Sequence, residues 1–160
     1  MRLGVIAVGR LKRGPESDLA GRYADRIARG DRGVGLAWSG VMELPESKSS
    51  DAPRRKAEEA GAILDRVPSS TRLVALDERG DHLDSVCFAR LLGDERDAGG
   101  GAMVFAIGGP DGHGDAVRDN AFRTIAFGRL TWPHQITRVL LLEQIYRATT
   151  ILSGHPYHRG

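Results

Sequence analysis

Apolar positions along this chain follow two alternating rhythms. Arg2 to Val8 is a compact run of branched side chains ended by Gly9, the pattern of a strand buried on both faces. From Pro15 and Ser17 the spacing changes: Leu19, Tyr23 and Ile27 recur one turn apart until Gly30 and Gly33, which predicts a helix. Val34 to Leu44 reads as a second strand interrupted at Gly40, and the polar stretch PESKSSDAP as an exposed loop. A helix near Pro53 to Arg66 follows, with Ala57, Ala60, Ile63 and Leu64 on one face and charges on the other.

Three more strands are predicted at Arg72 to Asp77, Ala102 to Ile107 and Thr124 to Phe127. A helix from about Ser85 to Leu92 and a short one near Asp115 to Phe122 separate them, and Gly99 to Gly101 mark a flexible link. Strands alternating with helices at these distances imply crossover connections. The expected fold class is therefore α/β, a mostly parallel sheet with helices on both faces. No repeat or long linker divides residues 1–160, so one domain is expected.

The final helix is the most apolar segment. Thr131 is placed to cap it and Pro133 to fill its first turn, after which Ile136, Val139, Leu140, Ile145, Ala148, Ile151 and Leu152 supply more apolar surface than one stripe. A small sheet covers one side of a helix, so the surplus points to a second copy in a two-fold dimer, with burial in the chain's own core as the alternative. Glu143 and Arg147 have the order that favours an i to i+4 ion pair.

Charge sharpens the picture at the C-terminal end. The net charge is only +2, but from residue 121 onward five arginines and three histidines face a single acid, Glu143. Lysine is absent after Lys56, leaving arginine as the strong base that suits phosphate contacts and base stacking. A lone cysteine, Cys87, allows no intramolecular disulfide and no cysteine-based metal centre, so no metal is expected. The opening LGVIAVG lacks the architecture of a cleavable signal, and no segment has the length of a membrane span. A cytoplasmic protein with no membrane partner is expected.

Ligands of open parallel sheets gather beyond the carboxyl ends of the strands. Those positions hold Leu76 to Gly80, the loop GGPDGHG at Gly108 to Gly114, and Gly128 to Trp132. Four glycines in seven residues let backbone approach a ligand closely. The loop lacks both the glycine-lysine ending of a triphosphate loop and the dinucleotide spacing, so an uncharged-headed adenosine compound fits better than a nucleotide triphosphate. Beyond the last helix stand His155, Tyr157, His158 and Arg159, groups suited to proton transfer and anion binding, or simply to anchoring a chain end. His82 and His113 are expected to be exposed loop residues, while His134 packs near the helix start or meets substrate.

AVGRLK at the start, Leu76 and Asp77 at a strand end, IGGPDG, LTWPHQITRVLLLEQIYRA and the terminal GHPYHR together resemble the small bacterial 23S rRNA methyltransferases that modify N3 of a pseudouridine, the ribosomal RNA large subunit methyltransferase H family of the knotted SPOUT superfamily. The likeness spans the whole chain and is most specific in the PHQ to IYRA block and the HPYHR ending. The glycine loop departs from it at Asp111, His113 and Gly114, and the chain ends in Gly160 where relatives end in a charged residue.

The resemblance implies a single SPOUT domain with a C-terminal deep trefoil knot, a homodimer, and S-adenosyl-L-methionine bent in the knot. It places the cofactor against Leu76, Gly108, Phe127, Gly128, Arg129, Leu130, Thr131 and Trp132. An imide nitrogen needs only alignment with the methyl donor and help in losing its proton. The groups for this are His155 or His158 to accept the proton, Tyr157 to orient the base, Arg159 to hold phosphate or developing charge, and Arg138 to position substrate or cofactor, with the tail completing a neighbour's pocket across the dimer. The implied partner is 23S rRNA within the ribosome. A non-catalytic ribosome-binding factor and a SPOUT enzyme acting on tRNA are the alternatives.

Overall fold

A computed structural model describes residues 1–158, with the side chains of Asp31 and Arg32 excepted. Five parallel strands form one sheet in the order β2-β1-β4-β3-β5. They are β1 (Arg2–Val8), β2 (Ala37–Leu44), β3 (Thr71–His82), β4 (Ala102–Ile107) and β5 (Arg123–Ala126). Between them run α1 (Pro15–Gly30), α2 (Ala52–Leu64), α3 (Ser85–Asp97) and α4 (Asp115–Asn120), and α5 (His134–Leu152) follows β5.

Alternation along the strands explains why both faces are covered. Leu3, Val5 and Ala7 of β1 join Met103, Phe105 and Ile107 of β4 in a core shared with α1, α3 and α5. Ile6 and Val8 point the other way, joining Ala75, Ala106 and the α2 residues Ala60 and Ile63. Successive side chains of a strand face opposite sides, so a run apolar at every position is stable only between two helical layers.

Local chemistry sets most helix ends. Asp51 caps α2 by accepting from the Arg54 backbone N–H at 3.0 Å, and Asp84 caps α3 through the Cys87 N–H at 2.6 Å. The α3 helix runs to Asp97, one turn and more beyond the expected Leu92, because its last polar residues serve tertiary contacts: Arg96 donates to the Val34 carbonyl at 2.6 Å. The expected second strand is shorter than its apolar run. Residues Asp31–Val34 form a 3-10 turn, and pairing starts at Ala37. As expected, the interruption falls at Gly40, between the pairs Leu3 to Trp38 and Val5 to Val41.

The start of α5 differs from expectation. Pro133, not Thr131, occupies the cap position, and Thr131 instead donates its hydroxyl to Glu78 at 3.0 Å. No residue of α5 is exposed, and much of the surplus apolar surface is absorbed within the chain. Tyr146 stacks near Tyr23 of α1 at 6.2 Å, and Gln144 accepts from Ser85 of α3 at 2.9 Å.

The expected end of β3 at Asp77 is also corrected. The strand continues to His82, and Ile125 of β5 pairs with both Leu76 and Asp81. One edge of a residue in a strand accommodates one partner, so residues 77–80 cross from one edge of β5 to the other at Ile125. A Cβ at Gly80 would lie 2.6 Å from the Ile125 backbone, which is why glycine stands there.

Candidate functional site

The carboxyl ends of β3, β4 and β5 open into a cavity of about 760 Å³. Leu76 and Asp77, Gly108 to His113, and Phe127 to His134 without Arg129 form most of its wall, with Lys56 and Thr137 at its border. Seven of the eight residues singled out for a cofactor thus face one space: Leu76, Gly108, Phe127, Gly128, Leu130, Thr131 and Trp132. Arg129 does not; it is exposed and stands outside the wall.

Glycine makes the wall out of backbone. A Cβ at Gly108 would stand 2.9 Å from the Gly112 carbonyl carbon and 3.0 Å from the His113 nitrogen, so the loop folds on itself only without one. The Gly112 N–H donates to the Gly109 carbonyl at 2.9 Å, closing the turn.

Charged residues outside the loop fix its position. Arg118 of α4 donates to the His113 carbonyl at 2.8 Å and to Asp77 at 3.1 Å, tying the glycine loop to the end of β3. Burial opposes the charge on Asp77, but Arg79 and Arg118 outweigh it and hold the carboxyl down to about 2. On the other flank Arg55 pairs with Asp111 at 2.7 Å and donates to the Ser49 and Ser50 carbonyls, each at 3.0 Å. Glu59 lies buried below Gly109, where burial pushes its carboxyl up and Glu46 and Asp111 add to the effect.

His113, expected as an exposed loop residue, is instead 2% exposed. One ring nitrogen lies 3.1 Å from the Ala106 carbonyl, and burial lowers its pKa, so the ring is neutral. Flanking glycines hide this in the sequence, because a turn residue facing inward has no periodic signature. His82 is exposed, although on β3 and not in a loop, and His134 borders the cavity. Asp77, Glu78 and Arg79 are signalled only by their place after a strand.

The tail sits elsewhere in the same chain. α5 begins at the cavity and carries its far end about 27 Å away at 1.5 Å per residue. The chain then turns back, with the His155 N–H donating to the Thr150 carbonyl at 2.9 Å. Tyr157 donates its hydroxyl to Glu143 at 3.1 Å, packs edge-on to Tyr146 at 4.8 Å, and lies under Arg147 at 4.9 Å. Burial, Tyr23 and Glu143 all push the phenol up, so Tyr157 is a neutral donor. The expected Glu143 to Arg147 pair is present at 2.5 Å.

His155 is exposed, and its Nδ1 accepts the Tyr157 N–H at 3.2 Å. His158 is half-buried; Arg159 lies outside the described residues. Arg138 is 3% exposed and reaches neither cavity nor tail, because it is engaged by Glu43 and the Gly9 carbonyl. Among the described residues no helix is long and apolar enough to cross a membrane, and no group of three or more His, Cys, Asp or Glu side chains is placed to hold a metal.

The family described as "Predicted SPOUT methyltransferase" matches residues 1–158. The protein named "Ribosomal RNA large subunit methyltransferase H" of Bradyrhizobium diazoefficiens is 56% identical over 160 residues, covering 100% of both chains. Its namesake in Rhizobium meliloti is 54% identical, again over 100% of both. Among solved structures, the SpoU methyltransferase AviRb of Streptomyces viridochromogenes, in complex with the cofactor AdoMet, matches with a TM-score of 0.41 and 15% identity, over 90% of this chain and 56% of that one.

Proposed function

We propose, since the chain belongs to the SPOUT methyltransferase family, that it transfers a methyl group from S-adenosyl-L-methionine to 23S rRNA of the large ribosomal subunit, at N3 of a pseudouridine in the assembled ribosome. The observation that carries this reading is the backbone-walled cavity at three strand ends. Its size suits a nucleoside with a short tail. A Cβ at Gly108 would meet the backbone of Gly112 and His113, and one at Gly109 would meet Glu59 and Val8, so glycine keeps the loop tight and leaves main chain as its face to the cavity, a surface suited to a flat group. Leu76, Gly108, Phe127 and the segment Gly128 to Trp132 would hold the cofactor there, with Arg129 outside the contact. Bound in this way, S-adenosyl-L-methionine supplies an activated methyl group.

The remaining work falls to the chain's own groups. Asp77 and Arg118 keep the glycine loop in register with β3, and neutral His113 braces it from below. Tyr157 is a donor that fastens the tail, while the unprotonated nitrogen of the exposed His155 is Nδ1, which accepts the Tyr157 N–H here and takes the N3 proton when it exchanges that N–H for the base. His158 is the second candidate for the proton, and Arg159 holds phosphate or developing charge. Arg138 acts as a positioning residue.

A tail that packs on the second half of α5 and does not line its own cavity supports a homodimer in which each tail serves the other copy's cavity. Leu130 is 69% and Trp132 42% exposed at the cavity rim, apolar surface that a partner or a base would cover. The wrap of residues 77–80 round Ile125 supports the loop of a deep trefoil knot in a single domain. The absence of a membrane-spanning helix among the described residues is compatible with a cytoplasmic enzyme.

Radiolabelled methyl transfer from S-adenosyl-L-methionine to ribosomes of a strain lacking the enzyme, with the product nucleoside identified by mass spectrometry, tests the reaction. No transfer rejects it. Mixing a Gly108→Val chain with one truncated before His155 tests the shared site: activity returns in the mixture if tails serve the opposite cavity, and stays absent if they do not.

A further inference from the structure

Where the strand end of β1 leaves the sheet, the chain passes through Gly9, Arg10, Leu11, Lys12, Arg13 and Gly14 before α1 begins. Arg10, Lys12 and Arg13 are all exposed, and none belongs to an ion pair seen among the described residues. Three cations in four residues ordinarily mark a mobile, solvated loop. This one is fastened at three points. The Gly9 N–H donates to the Leu44 carbonyl at 2.8 Å, the Gly9 carbonyl accepts from Arg138 at 2.8 Å, and the Leu11 N–H donates to Glu43 at 2.9 Å.

Arg138 and Glu43 form the centre of this fastening. The guanidinium is buried and bridges Glu43 and the Gly9 carbonyl, so one side chain of α5 grips both the loop and the end of β2. A buried pair of this kind is seldom a gain in stability over apolar packing, whereas it fixes geometry well. Burial works against the charge on Glu43, but the Leu11 N–H and Arg138 hold its carboxyl below the ordinary range.

The loop is also next to the cavity. Gly9, with φ of +88°, turns so closely under His134 that a Cβ there would meet the imidazole Nε2 at 3.3 Å and Glu46 at 2.8 Å. His134, one turn before Arg138, and Thr137, the residue before it, line the cavity. The loop that carries the three cations thus starts beside a residue of the cavity wall, at the carboxyl end of the sheet where ligands approach.

We propose that Arg10, Lys12 and Arg13 form a phosphate-binding platform that docks the RNA backbone beside the cavity, with Arg138 and Glu43 as positioning residues that hold it in place. This rests on the reading of the substrate as RNA. Phosphate contacts from lysine and arginine fix register without reading sequence, which is the task left once the cavity has taken the methyl donor. Glu16 and Asp18, the nearest acids along the chain, sit in the first turn of α1, where the helix N-terminus favours negative charge, and Glu43 attracts Arg10 without an ion pair between them.

The test uses the full chain with all three cations replaced, Arg10→Ser, Lys12→Ser and Arg13→Ser, against a control of equal charge change, Arg22→Ser, Arg66→Ser and Arg90→Ser, all exposed and outside the cavity wall. Ribosome binding is followed by sedimentation between low and moderate salt, and S-adenosyl-L-methionine binding by calorimetry. The platform variant is expected to bind ribosomes on the order of tenfold more weakly, with a log-log salt slope shallower by about 2, at roughly 0.7 for each phosphate that is no longer neutralised. Cofactor affinity should stay within about twofold, and the control should match the parent chain.

Glu43→Gln gives the positioning arm. It should raise KM for ribosomes with kcat at saturation unchanged, a split that general destabilisation does not produce. An unchanged salt slope in the platform variant overturns the proposal. So does an equal loss in the control, which would mean that net charge alone matters, or a parallel loss of cofactor affinity, which would assign the loop to the cofactor pocket. If the parent chain binds ribosomes through the platform but transfers no methyl group, the proposed reaction fails and the docking surface stands.

Discussion

The cavity lies at the start of α5, the tail folds back along its second half as far as Glu143, and the two are built by different means. Backbone forms the cavity wall at Gly108 to Gly112, and salt bridges from three helices and strands lock it. The tail presents side chains on a chain end, held by one phenol in a nest of Glu143, Tyr146 and Arg147. A site made of main chain must be complete in one copy, since its geometry depends on strand register. Side chains on a tail can be delivered to another copy, because few contacts fix where the tail lies. The cavity is therefore expected to fail by misfolding or lost cofactor affinity, and the tail by lost turnover alone.

The most severe way to break that contrast is Gly80→Ala. Its methyl group would collide with the Ile125 backbone, so we expect roughly 3 kcal/mol of lost stability in urea unfolding, the upper end for overpacking. A loss below about 1 kcal/mol would mean that the wrap round β5 yields easily. Gly108→Ala comes next. The glycine loop must open to admit the methyl group, at a cost of about 1–3 kcal/mol, and calorimetry should find S-adenosyl-L-methionine binding weakened by on the order of tenfold or more.

Acid titration sharpens the same side of the comparison. Asp77 is held down to about 2 from an ordinary 3.8, so its stabilisation is fully present above pH 3.8 and is lost as pH falls through about 2. The loss should amount to about 2 kcal/mol, and Asp77→Asn should abolish this part of the acid dependence while wild-type protein keeps it. A variant whose stability falls as steeply with acid as the parent would assign the dependence to other carboxylates.

The smallest effect belongs to the tail. Tyr157→Phe removes one hydrogen bond to Glu143 and should cost about 1 kcal/mol or less. Methyl transfer should drop while cofactor affinity holds. Cofactor affinity falling together with transfer would show that the tail supports the cavity and would erase the distinction.

Much of the fold is legible along the chain. β1 and β4 appear in full because a strand buried on both faces leaves an unbroken apolar run. The cavity is legible as a place, since ligands gather beyond parallel strands and glycine-rich sequence stands after two of them. The inward face of His113 is not, because its flanking glycines carry no period. Arg138 reads as one more arginine of a basic region, and only the fold brings it to Gly9 and Glu43, 129 and 95 residues away. The ends of β3 and α3 escape the pattern for a related reason: RGDH and DERD are polar, and their structure comes from Ile125 and the Val34 carbonyl, not from their own periodicity.

Sequence alone determined the alternation of strands and helices, the parallel sheet with two covered faces, the glycine loop and the family that these belong to, because each depends on neighbours within a few residues or on long, unusual motifs. Tertiary structure alone decided that residues 77–80 pass round β5, that the cap of α5 is Pro133 with Thr131 turned to Glu78, and that the tail lies along the second half of α5 and does not line its own cavity. Those outcomes rest on contacts between segments 14 to more than 50 residues apart. Nothing in local propensity distinguishes them from the alternatives.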